Sequence, residues 1–210
     1  NRHMLGFDNT RKALLTAVKE AVDNSLDACE EARILPRIRV EIRKVEGTED
    51  HYVLSVRDNG PGIVKAQIPR VFGKLLYGSK FHRLRMSRGQ QGIGISAAGM
   101  YGQITTAKPV QITSRPFKSK PAHYYELRMD LKRNEPVILV DEETEWGDPG
   151  TGTKVDITMK ATFFRGRQSV DEYLEQTAIA NPHADFSFLA PDGAERVFPR
   201  AAQELPPEPV

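Results

Sequence analysis

The spacing of apolar positions changes period several times along the chain, and each change predicts an element. From about Thr10 to Arg33 there are few helix breakers, and Leu15, Val18, Val22, Leu26 and Ala32 recur at helical spacing. Asp8, Asn9 and Thr10 are all good N-cap residues for that helix. Pro36 disfavours helical backbone at Leu35, so the helix is expected to end near Arg33 to Leu35. The period then drops to two. Ile38, Val40 and Ile42 alternate with Arg37, Arg39, Glu41 and Arg43, which predicts a strand over Arg37 to Val45 with one wet face. Gly47 to Asp50 makes a turn, and His51 to Arg57 is a second strand. This is a hairpin, which argues against the βαβ units of a Rossmann-type sheet.

Ile63 to Leu76 reads as a short helix or two around Pro69, and Tyr77 to Gln91 as a polar, basic, glycine-bounded stretch. In the second half, Val110 to Arg115, Tyr124 to Leu131, Val137 to Asp141 and Thr153 to Met159 carry strand patterns whose spacing suggests an antiparallel meander. Gln168 to Ala180 is an amphipathic helix with Val170, Tyr173, Leu174 and Ile179 as its apolar residues. His183 to Leu189 and Glu195 to Phe198 flank Pro191-Asp192-Gly193 as a final hairpin. No internal repeat is visible.

Composition narrows the class without deciding it. A chain of 210 residues suits one large domain, or one domain with a tail. A hydrophobic content of 39% and a charged content of 28% are ordinary for a globular protein. No apolar run approaches the roughly 20 residues that span a bilayer. A net charge of +2 lacks the footprint of a dedicated nucleic-acid binder. Local clusters remain, Arg37, Arg39 and Arg43 on one strand face and Arg83, Arg85 and Arg88 in the basic stretch. The lone cysteine, Cys29, excludes an internal disulfide and a cysteine-based zinc site, and is expected to be a small buried residue. Trp146 is expected to pack beneath the turn formers Gly147-Asp148-Pro149-Gly150. Residues 1–9, with Met4, Leu5 and Phe7 as apolar anchors, read as an N-terminal arm. Residues 10–200 form the domain, and residues 201–210 read as a Pro-rich exit linker.

Candidate chemistry lies at three places. Glu20, Asn24 and Asp27 share a helix face that the apolar residues do not account for. That face is either a solvated acidic surface or a site. An Asn oxygen is a hard, neutral ligand suited to Mg²⁺, and a Glu one turn away can align or deprotonate a water. Next, Asp58-Asn59-Gly60-Pro61-Gly62 directly follows a strand. It is either a plain tight turn, or a carboxylate acceptor facing a planar base while Gly62 admits close backbone approach. Finally, Gly89-Gln90-Gln91-Gly92-Ile93-Gly94 leads into Ile95-Ser96-Ala97, which places free backbone N–H groups at a helix start, a phosphate site. The pattern is neither a Walker loop nor a dinucleotide fingerprint. The basic stretch before it is either a solvated loop or a lid over an anion.

Taken in order, these motifs resemble the GHKL ATPases, the Bergerat-fold family of type II topoisomerase ATPase subunits, heat-shock chaperones, MutL and sensor histidine kinases. The resemblance covers almost the whole chain. It implies an α+β two-layer sandwich, a mixed, mostly antiparallel sheet with helices packed on one face. Phe72 to Phe81, Ser87 to Ser96 and the opening Asn1 to Phe7 are similar to the B subunits of DNA topoisomerase VI.

What this implies is specific. Glu20 matches the general base, Asn24 the Mg²⁺ ligand, and Asp27 a supporting group on the same face. Asp58 matches the adenine-reading carboxylate, with Thr153 supporting it and Gly60 and Gly62 in the turn beside the base. Ser79, Lys80 and Arg88 match lid residues. Gly89, Gln90, Gln91, Gly92, Ile93, Gly94 and Ile95 match the loop around the phosphates. The implied cofactors are ATP and Mg²⁺. The implied partners are a second copy, through ATP-dependent homodimerisation, the topoisomerase VI A subunit in an A2B2 heterotetramer, and DNA in the full enzyme. A membrane is not among them, and the implied location is cytoplasmic, nucleoid-associated and archaeal in type. The implied activity is ATP hydrolysis that gates DNA strand passage, relaxing supercoils and decatenating DNA. In the topoisomerase members a lysine from a second domain reaches the γ-phosphate. That domain is not in this sequence, so weak hydrolysis is expected of this stretch.

Three other readings stay open, one of them a plain structural domain with no ligand. A sensor-kinase catalytic domain shares the fold but passes phosphate to a partner histidine and has no need of a water-activating Glu, so Glu20 favours hydrolysis. A non-catalytic module related to chaperones or MutL is opposed by the Phe72 to Phe81 stretch.

Overall fold

The computed structural model describes residues 7, 9–71, 94–133 and 135–208. In chain order they form α1 (Thr10–Glu31), β1 (Arg37–Lys44), β2 (His51–Asp58), a 3₁₀ turn (Lys65–Gln67) and α2 (Gly94–Thr106). Then follow β3 (Val110–Arg115), β4 (Ala122–Asp130), β5 (Glu135–Thr144), β6 (Gly152–Lys160), α3 (Val170–Ala180), β7 (Asp185–Leu189) and β8 (Glu195–Phe198).

The helix α1 starts at Asn9, whose side chain accepts a hydrogen bond from the Lys12 N–H. It stops at Glu31, earlier than Pro36 alone implies. Arg33 adopts φ 57, its N–H reaches the Glu30 carbonyl at 3.0 Å, and the Ile34 N–H reaches the Cys29 carbonyl at 2.8 Å. That is a complete Schellman cap with an arginine in the left-handed position. The buried stripe follows the sequence reading at Val18, Val22 and Leu26 and departs from it at the two ends. Leu14, Val18, Val22 and Leu26 are buried, while Leu15 is half-buried and Ala32 is exposed.

The strands β1 to β8 form one sheet in the order β5-β4-β3-β6-β2-β1-β7-β8. It is antiparallel except where β7 runs parallel to β1, pairing Arg37 with Asp185 and Val40 with Phe188. The expected meander holds for β3, β4 and β5 but not for β6. That strand returns past both neighbours and inserts between β3 and β2. Its insertion is what brings Thr153 beside Asp58. One sheet face carries Ile38, Val40, Ile42, Leu54, Val56, Ile157, Phe186 and Phe188, all buried. The helices cover that face, α1 against β2 and β1, α2 against β6 and β3, and α3 against β7. The other face is polar. The Arg39 guanidinium bridges Glu41 and Glu195 there, and Arg57 lies 3.9 Å above the Trp146 ring and donates to the Trp146 carbonyl. Trp146 is buried at 5% exposure, packed as the turn formers around it suggest. In α3, Val170 and Leu174 are buried, but Ile179 is 76% exposed and takes no part in the core.

Two ends are tied to this body. Phe7 is buried and stacks on Tyr101 of α2 at 5.0 Å. Ala201 and Ala202 donate to the Pro182 carbonyl, and Arg33 donates to the Pro206 carbonyl. Residues 1–6 of the arm lie outside the described residues.

Candidate active site

An open cleft lies between α1 and the ends of β2 and β6. Asn24 and Ser25 line it from α1, Asp58 and Gly62 from the turn after β2, Ile95 from α2 and Thr153 from β6.

Asp58 lines the cleft and is only 8% exposed. Three donors hold its carboxylate. Gly60 N–H and Thr153 N–H reach Oδ1 at 2.9 and 3.1 Å, and the Ser25 hydroxyl reaches Oδ2 at 2.7 Å. Burial pushes the Asp58 pKa up, and those hydrogen bonds together with the nearby Arg57 charge push against it. Thr153 therefore holds Asp58 through its backbone N–H. The turn itself is over-determined. The Thr151 hydroxyl donates to the Gly60 carbonyl at 2.7 Å. Gly62 sits at φ +73, and a Cβ there would meet the Arg115 carbonyl oxygen at 2.7 Å. A Cβ on Gly152 would overlap the Asp58 carbonyl, so β6 can pass this close only with glycine at that point. Beneath the turn, Cys29 is fully buried, and burial followed by the charge of Asp58 holds its thiol protonated.

Glu20 and Asn24 lie one turn apart on α1, both half-buried. Asn24 lines the cleft itself. The Glu20 carboxylate lies against the Cα of Gly94, the first residue of α2, where a Cβ would overlap it. Burial first, and the charge of Asp23 second, raise the Glu20 pKa above the ordinary carboxylate value. Asp27 is buried on α1 and does not line the cleft. The position of α2 is set by side-chain pins along its length. Ser96 donates to the Val71 carbonyl at 2.8 Å, Tyr101 to the Lys160 carbonyl at 2.6 Å, and Gln103 exchanges two hydrogen bonds with the Met129 backbone. Ser79, Lys80, Arg88, Gly89, Gln90, Gln91, Gly92 and Ile93 lie outside the described residues.

One contributor was not singled out from the sequence, Ser25. Ser25 has a local signal, a hydroxyl on the buried stripe of a helix where an apolar residue would be expected. Gly94 was expected beside phosphates, and its contact with Glu20 adds a second reason for glycine there. Gly94→Ala is expected to push the Glu20 carboxylate out of place and to lower phosphate release from ATP by about tenfold or more, read in a malachite-green assay. Release within twofold of the parent would show that the contact carries no function.

The family described as histidine kinase-, DNA gyrase B-, and HSP90-like ATPase matches residues 9–162, which includes every described side chain placed around the cleft. The chain belongs to this ATPase family. Its domain is therefore a nucleotide-binding one. The chain is 54% identical over 207 residues to the B subunit of type 2 DNA topoisomerase 6 from Methanosarcina barkeri, covering 98% of this chain and 33% of that protein. It is 51% identical over 210 residues to the protein of the same name from Archaeoglobus fulgidus, covering 100% of this chain and 34% of that protein. It thus spans about a third of the length of these relatives. Among solved structures, the topoisomerase IV ATP-binding domain of Francisella tularensis superposes with a TM-score of 0.59 at 13% identity, covering 94% of this chain and 91% of that one. The Aquifex aeolicus MutL ATPase domain complexed with ADP gives 0.56 at 21% identity, covering 92% and 65%. Both likenesses concern the fold. Among the described residues, no helix is long and apolar enough to cross a membrane.

Proposed function

We propose that this domain is the ATP-binding and ATP-hydrolysing part of a topoisomerase VI B-type subunit, in which ATP-driven dimerisation gates DNA strand passage. The observation that carries the reading is the buried Asp58 carboxylate in a cleft that Asn24 also lines, with Glu20 one turn away on α1 against Gly94 at the start of α2. Asp58 accepts the exocyclic amine of adenine, and Gly62 lets backbone lie close to the ring. Glu20 aligns and deprotonates the water that attacks the γ-phosphate, the general-base role. The N-terminus of α2 meets the phosphates.

The donor set fits Mg²⁺ carried by the nucleotide. Among the described residues no group of three His, Cys, Asp or Glu side chains is placed to hold a metal. A neutral Asn24 oxygen suits an ion that takes most of its ligands from phosphates and water. When bound, the ion neutralises phosphate charge. The wider assembly, with a second copy, the topoisomerase VI A subunit and DNA, is proposed from the 51% and 54% identity to the two archaeal relatives. A sensor-kinase function is disfavoured by Glu20, which phosphate transfer to a histidine would not require.

Light scattering with a non-hydrolysable ATP analogue and Mg²⁺ tests the gating part of this reading. The expected result is a doubling of mass on adding the analogue. A monomer under both conditions, with the analogue shown to be bound, would remove dimerisation from the functions of this stretch.

A further inference from the structure

We infer that Ser25 is a positioning residue that limits Asp58 to one further hydrogen bond and so sets the purine preference of the cleft. The inference rests on the adenine-reading role proposed above for Asp58.

A carboxylate offers about four acceptor positions, two on each oxygen. In this structure Oδ1 takes two backbone donors, Gly60 N–H at 2.9 Å and Thr153 N–H at 3.1 Å. It is full, and because both donors are main-chain groups of a rigid turn and strand they do not swing away. Oδ2 takes the Ser25 hydroxyl at 2.7 Å. One acceptor position remains, on Oδ2. The hydroxyl sits on the face of α1 next to Asn24, so the same helix turn that supplies the proposed metal ligand also sets the acceptor count at the base end.

A base that presents a single N–H here, such as the 6-amino group of adenine, matches one free acceptor. Guanine presents its N1–H and 2-amino N–H side by side on one edge and needs two. With Ser25 in place the second guanine donor is buried without a partner, the arrangement that gives polar sites their strongest discrimination. Removing the hydroxyl leaves Oδ2 with two open positions and lets it accept both guanine donors. The serine therefore acts by occupancy. Its contact is with Asp58 Oδ2.

The test is competition of ATP and GTP against a fluorescent ATP analogue on this chain, for the parent, Ser25→Ala, Ser25→Cys and Ser25→Thr. The parent is expected to prefer ATP. In Ser25→Ala the ratio of GTP to ATP dissociation constants is expected to narrow on the order of tenfold. Ser25→Thr, which keeps the hydroxyl, is expected to restore the ratio. Ser25→Cys, close in size with a weak donor, is expected to behave like Ser25→Ala and carries the test if the alanine variant does not fold. A parent that fails to bind ATP would overturn the function proposed for the cleft. A parent that binds ATP, with the same GTP to ATP ratio in the alanine and cysteine variants, would overturn the role of Ser25 alone.

Discussion

Asp58→Asn is expected to weaken ATP binding by roughly 2–3 kcal/mol, about 30- to 150-fold, while leaving the fold intact. The size follows from what the carboxylate faces. Every neighbour is a donor, the Gly60 and Thr153 N–H groups on Oδ1 and the Ser25 hydroxyl on Oδ2. An amide of the same shape must present its NH₂ on one side. If the amide oxygen stays where Oδ1 was, the NH₂ faces Ser25 and the amine of adenine, donor against donor. If the amide flips, the NH₂ faces two backbone N–H groups instead. Ser25 can turn its hydroxyl to accept, but the adenine amine and the backbone cannot. The loss therefore falls on the nucleotide. Titration calorimetry with Mg²⁺-ATP reads it, with the melting temperature as the check on folding. An affinity within twofold of the parent would show that Asp58 does not read the base.

The turn after β2 was legible in the sequence because a carboxylate at a strand end followed by Asn-Gly-Pro-Gly is a local pattern, but that pattern alone left a plain turn open, and the resemblance supplied the role of Asp58. The faces of β1 were legible for the same reason, since Ile38, Val40 and Ile42 alternate with charges and period two fixes which side is buried. Neighbours were not legible. Alternation says which face a strand presents, not which strand it pairs with. So neither the insertion of β6 between β3 and β2 nor the parallel pairing of β7 with β1 had a signal in the spacing. The end of α1 depends on Arg33 taking a left-handed backbone that glycine usually takes. In the cleft, the Ser25 contact to Asp58 and the need for glycine at position 152 exist only once α1, β2 and β6 meet. The resemblance supplied roles for Glu20 and Asn24, whose spacing alone left a solvated helix face open.

Glu20→Ala is expected to lower the rate of phosphate release by about 10²- to 10⁴-fold at saturating ATP, with the dissociation constant for ATP within about threefold of the parent. The separation follows from position. On the proposed reading Asp58 in the cleft binds the base, while Glu20, beside Gly94 at the start of α2, contributes only when a water must lose a proton. The environment of Glu20 also predicts a pH dependence. Its pKa is raised, by burial first and by Asp23 second. A general base works only when ionised, so turnover is expected to fall as pH drops through that raised pKa, and the acid limb should lie above the ordinary carboxylate range. Asp23→Asn removes the like charge and is expected to move the limb to lower pH, whereas substitutions at Asp58 are expected to leave it in place. Phosphate release measured across pH at saturating ATP distinguishes these cases. Persistent turnover in Glu20→Ala would remove Glu20 from the chemistry. An acid limb that does not respond to Asp23→Asn would assign the limb to another group.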